Sequence, residues 1–92
     1  MPNRIIKESA LTSRNLDQLS DSAERLFWRM TVIADDVGRF DADPRVVLAK
    51  CFPLRIDRLK PATIENWLTE LVSAGIVKLY CVEDRACGFF PS

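Results

Sequence analysis

At Gly75 the chain changes its hydrophobic period, and this switch limits the available folds more than any other feature of the sequence. Before it, apolar residues recur at steps of three and four. After it, Ile76-Val77-Lys78-Leu79-Tyr80-Cys81-Val82 is β-branched and aromatic-rich, and Gly88-Phe89-Phe90 follows a polar turn. Helices therefore come first and a hairpin around Glu83, Asp84 and Arg85 comes last. Between Asp21 and Asp35 the stripe Ala23, Leu26, Phe27, Met30, Ile33 and Ala34 predicts an amphipathic helix, widened by Trp28 and Val32. Ser20 or Asp21 can cap it, Asp21-x-x-Glu24 has the shape of a capping box, and Leu19 can act as its staple. Leu16 and Leu19 predict one or two further turns between Ser13 and Leu19.

Asp35-Asp36-Val37-Gly38 ends the long helix: carboxylates oppose the negative end of its dipole, and Gly38 permits a positive φ. Arg39-Phe40-Asp41 is too short to read as a strand by pattern, but it can supply ladder bonds to the later hairpin. Asp43-Pro44 is an N-cap followed by proline at the first helical position, opening a helix through Val46, Val47, Leu48 and Cys51 that ends before Pro53. Leu54 to Lys60 connects to a helix beginning at Pro61, with Ile64, Trp67, Leu68, Leu71 and Val72 as its stripe and Gly75 as its C-terminal cap. The expected fold is α+β and mainly helical, a winged helix-turn-helix of three to four helices with a small antiparallel sheet whose third strand is the Arg39-Phe40 segment. One domain spanning residues 1–92 is expected, with 1–12 as an extended N-terminal segment.

Composition excludes several functions. The chain has 92 residues, 13 Lys+Arg against 13 Asp+Glu, and no histidine. Histidine-dependent catalytic arrangements, histidine metal ligands and a histidine pH switch are therefore absent, and no enzymatic activity or cofactor is expected. No stretch approaches the roughly 18 apolar residues of a membrane span, and the N-terminus lacks a signal-peptide run, so a cytoplasmic protein without a membrane partner is expected. Cys51, Cys81 and Cys87 are odd in number and lack C-x-x-C spacing, which predicts buried free thiols, with a Cys81–Cys87 bridge across facing strands as the lesser alternative. Asp35, Asp36, Asp41 and Asp43 do not match an EF-hand, so turn, capping and Arg39 or Arg45 pairing roles are expected and no metal. Trp28 and Trp67 read as core. Phe89 and Phe90, being adjacent on a strand, must face opposite sides.

The residues resemble the winged-helix N-terminal domains of phage-type replication-initiation proteins, the replisome organisers related to DnaD-like helicase-recruiting proteins. The resemblance rests on Arg4-Ile5-Ile6-Lys7, on Leu19-Ser20 through Ala34-Asp35-Asp36-x-Gly38-Arg39-Phe40, and on Asp43-Pro44-Arg45. It continues through Cys51-Phe52-Pro53-Leu54, Leu68-x-x-Leu71-x-x-Ala74-Gly75-Ile76-Val77 and Tyr80-x-Val82-Glu83-Asp84, so it covers nearly the whole chain. Three departures stand out: Glu83-Asp84 replaces an Asp-Gly type of wing turn, Cys81 and Cys87 replace polar or aromatic strand residues, and the sequence stops at Ser92 where the family continues into oligomerising or helicase-engaging regions, as expected of either a fragment or a small stand-alone regulator. The resemblance implies DNA binding in replication initiation.

In a helix-turn-helix the second helix enters the major groove, which makes Pro61 to Ser73 the candidate reader. Ala62, Thr63, Glu65, Asn66, Thr69, Glu70 and Ser73 lie outside its apolar stripe. Thr63 and Asn66 suit base edges, Asn66 an adenine in particular, and Thr63 with the free amides of the first turn also suits a phosphate, whereas Glu65 and Glu70 oppose a polyanion. Arg55, Arg58 and Lys60 precede this helix, and Lys78 and Arg85 lie on the hairpin. Together with Thr63 and Asn66 they form the expected DNA-binding set, with Arg45 and Lys50 on the preceding helix. Residues 1–43 hold six basic and eight acidic side chains and residues 44–92 hold seven and five, so the half with the reader carries +2 and the other −2. The alternatives are solvated charges paired with neighbours such as Asp57 and Glu83, a winged helix used for self-association or helicase-loader docking, or a small transcriptional regulator. The expected partner is DNA, double-stranded in the first instance, with a replication protein or a second copy as the further possibility.

Overall fold

The computed structural model describes residues 14–90, and the expected extended segment 1–12 lies outside the described residues. The elements run α1 (Arg14–Asp17), α2 (Asp21–Ile33), β1 (Arg39–Asp41), α3 (Pro44–Cys51), a short 3-10 turn at Pro53–Arg55, α4 (Pro61–Ser73), β2 (Lys78–Val82) and β3 (Arg85–Phe89). The sheet is antiparallel with β3 central, flanked by β1 and β2. This is a mainly helical α+β arrangement, compatible with a winged-helix-like fold.

Local chemistry explains most boundaries. Ser20 is the N-cap of α2, its side chain accepting from the Ala23 N–H. Asp43 caps α3, accepting from the Arg45 N–H, with Pro44 at the first helical position. At the end of α4, Gly75 (φ +76°) donates to the Val72 carbonyl and Ile76 to the Leu71 carbonyl, the paired bonds of a Schellman motif that needs a left-handed residue. Ile76 and Val77 are spent on this reversal, so β2 starts at Lys78 rather than Ile76.

Leu26 and Met30 of α2, Val47 of α3, Ile64 and Leu71 of α4, Phe52 and Val77 are fully buried between the three long helices and the sheet. Each such side chain contributes roughly 1.5–3 kcal/mol by leaving water. The sheet's inner row is Phe40, Gly88 and Leu79 in register. A β-carbon at Gly88 would come 2.7 Å from the Phe40 ring, so the absence of a side chain is what lets the sheet close on the core.

Several expectations about single side chains are corrected. Val32 and Val72 leave the apolar stripes and are 52% and 38% exposed. Trp67 is half-buried against Phe52, and Trp28 is half-buried with its indole N–H donating to Glu24. Neither tryptophan is fully core, because each lies at the margin of its stripe. Only Cys51 is a buried thiol; Cys81 is exposed and Cys87 half-buried. The register pairs Tyr80 with Cys87 and Cys81 with Ala86, which puts the two strand cysteines on opposite faces and rules out a bridge between them.

Candidate functional site

The strongest charge feature lies where α2 passes the connector between α3 and α4. Arg25 and Arg29 are one helical turn apart on α2 and so share a face. The backbone of α3 ends at Cys51 and turns through Phe52, whose ring is fully buried, into rigid Pro53. Phe52 anchors the turn and serves as a platform: the Arg29 guanidinium carbon sits 4.5 Å from its ring centroid and that of Arg55 5.8 Å. Arg29 also donates to the Cys51 carbonyl at 2.6 Å, placing a cation at the C-terminus of α3.

The Arg55 guanidinium is held below its ordinary pKa first by desolvation and then by the charges of Arg29, Arg25 and Arg58. Arg29 and Arg55 thus meet at Phe52, and the charges of Arg25 and Arg58 also reach Arg55. Among the described residues the ion pairs are Arg39 with Asp35 and Arg45 with Asp43, both at 3.1 Å. Neither involves the cluster. The expected alternative of pairing with Asp57 and Glu83 does not occur among the described residues. Lys60, the residue preceding α4, is exposed and extends the positive surface to the start of that helix.

Of the residues expected to bind DNA, the structure gathers Arg55 and Arg58 with Lys60 at the turn before α4, where Thr63 is half-buried and Asn66 exposed. Lys78 and Arg85 are elsewhere. Both alternate with the inner row of the sheet and so project from the face turned away from the helices. Arg25 and Arg29 were missed by sequence reasoning because they belong to the acidic half of the chain. Their i, i+4 spacing was the available signal, and only the packing of α2 brings them to Arg55.

The two glutamates of α4 differ. Glu70 accepts from the Ser20 N–H at 3.1 Å and from its hydroxyl at 2.9 Å, so it is engaged at the start of α2 rather than presented to a ligand. Glu65 is exposed. It rims an apolar groove of about 350 Å³ floored by Ala42, Leu68, Val72, Leu79 and Ala86, between α4 and the inner face of the hairpin.

The acidic segment resolves into turn chemistry. The Asp35 carboxylate accepts from the Val37 and Arg39 N–H groups and from the Arg39 side chain, and the backbone bond from Arg39 is the main cause of its lowered pKa. Asp41 accepts from the Asp43 N–H. No three carboxylate or thiol groups converge on a metal-sized site among the described residues. None of the described helices is long and apolar enough to cross a membrane. Comparison with protein-family models, curated proteins and solved structures returned no match.

Proposed function

We propose that this chain is a DNA-binding winged-helix domain of the phage replication-initiation type, acting without chemistry of its own. The supporting observation is the pair Arg29 and Arg55 against Phe52, with the charges of Arg25 and Arg58 acting on Arg55 and no ion pair to any of them among the described residues. Holding like charges together costs free energy unless a polyanion relieves it, and a duplex backbone supplies closely spaced phosphates. In this reading the arginines and Lys60 hold phosphates while Asn66 and Thr63 on α4 meet base edges. Glu70 is no obstacle, being engaged by Ser20.

The test is duplex binding measured across a salt series. Arg25→Gln and Arg58→Gln should each weaken binding to all sequences alike and flatten the log–log salt slope by about 0.9 per lost phosphate contact. Asn66→Ala should change sequence preference instead. Unchanged affinity and slope in the Arg25→Gln/Arg58→Gln double variant would refute the assignment.

A second reading, a docking or self-association module, is favoured by the groove between α4 and the hairpin, where Val72 and Leu79 leave apolar surface uncovered. Light scattering over a concentration series separates the two. A stable dimer with no duplex binding at low salt supports docking.

A further inference from the structure

The sheet's outer face carries a pattern distinct from the arginine cluster. Register places Arg39, Phe89 and Lys78 in one row across β1, β3 and β2, so an aromatic ring stands between two cations. The adjoining row is Asp41, Cys87 and Tyr80, followed by Arg85 beside Val82. Tyr80 and Phe89 lie diagonally with ring centroids 5.9 Å apart, and both are half-exposed. Phe90 faces the other way, packing on Phe27 and Phe40. A shallow depression of about 240 Å³ runs beside Tyr80, between Arg39 and Arg85.

Arg39, Lys78 and Arg85 are exposed; Arg39 is paired with Asp35, and Asp41, which lines the depression with Asp35, accepts from the Asp43 N–H. Lys78 and Arg85 have no ion-pair partner among the described residues. Two rings with cations at their margins match the two faces of a nucleotide chain, flat bases and anionic phosphates. Duplex bases are stacked on one another and present no free face to such rings; unpaired bases do.

We propose that the outer face of the sheet binds single-stranded nucleic acid, with bases stacked on Phe89 and Tyr80 and phosphates held by Lys78 and Arg85. This site points away from α4 and does not depend on the duplex reading above.

The experiment titrates a fluorescein-labelled oligothymidylate with the full chain at low salt and reads anisotropy, with circular dichroism on every variant. Phe89→Leu and Tyr80→Leu keep an apolar side chain but remove the stacking surface, and each should weaken binding about thirtyfold, the mid-range cost of losing one stacked base. Tyr80→Phe should bind as wild type. Lys78→Gln, a surface change that leaves the hairpin core alone, should lower the salt slope by about 0.7. Tyr80 is the sole tyrosine, so its ring protons give one NMR marker, which should shift upfield on stacking. The proposal is overturned if folded Phe89→Leu and Tyr80→Leu variants bind as wild type. It is equally overturned if Arg25→Gln/Arg58→Gln abolishes oligonucleotide binding while Phe89→Leu does not, or if polyglutamate competes as well as the oligonucleotide.

Discussion

Glu70 lies outside the apolar stripe of α4, yet its carboxylate completes the cap of another helix. A capping box needs a Glu or Gln three residues into the helix, reaching back to the cap N–H. With Ser20 as the cap that position is Ala23, and Glu24, which the sequence pattern assigns to the role, accepts from Trp28 instead. Glu70 supplies the missing acceptor from fifty positions away. Glu70→Ala should therefore cost about 1 kcal/mol in urea unfolding, whereas Glu65→Ala should leave stability unchanged and tighten duplex binding. At Cys51, burial pushes the thiol up to about 11, despite the opposing charges of Arg29 and Lys50. Because the folded state holds this proton more tightly than the unfolded chain, the stabilisation is complete below about pH 9 and is lost as pH rises from about 9 to 11. About 2–3 kcal/mol is at stake, and the Cys51→Val variant should lack this component of the alkaline decline. A thiol reagent at neutral pH should label Cys81 first and Cys51 only on unfolding.

Elements whose ends are set by local bonds were legible. The Pro44 start of α3 and the Gly75 stop of α4 follow from residue types that act within a turn of themselves. At the hairpin, expected around Glu83, Asp84 and Arg85, the loop is two residues and local preference and structure conflict. Glu83 and Asp84 take φ of +50° and +67°, the paired left-handed residues of a type I′ turn, which favours Asn-Gly. Glu83→Asn with Asp84→Gly should add about 1 kcal/mol, raising Tm by about 4–8 °C for a domain of this size. A scanning fluorimetry measurement checks it. β1 was less legible: three residues carry no period, and what makes Arg39–Asp41 a strand is the ladder offered by β3. Val72 misled for the opposite reason. It fits the stripe of α4 by spacing, but the hairpin's inner face stops short of covering it.

For the whole molecule the informative quantity is where charge gathers, since the net charge is zero. Dividing the chain at its middle assigns +2 to the C-terminal half, but the cluster at Phe52 takes Arg25 and Arg29 from the negative half and Arg55 and Arg58 from the positive one. Like charges held near one another without counter-charges are destabilising. Arg25→Gln/Arg58→Gln should therefore raise Tm at low salt, and added salt should stabilise wild type more than the variant, as repulsion is screened. A fall in Tm would mean that these side chains serve the fold. The sequence by itself determined the kinds of elements, their order and most of their ends, because periodicity, caps and turn residues act over a few positions. It also determined that histidine-dependent chemistry is absent. Only the tertiary structure decided which charges meet, which carboxylates are engaged, that Lys78 and Arg85 project from the sheet face turned away from the helices, and that Phe89 rather than Phe90 is the outward ring. These depend on helix crossing and strand register, which bring together residues that nothing in the chain's local pattern links.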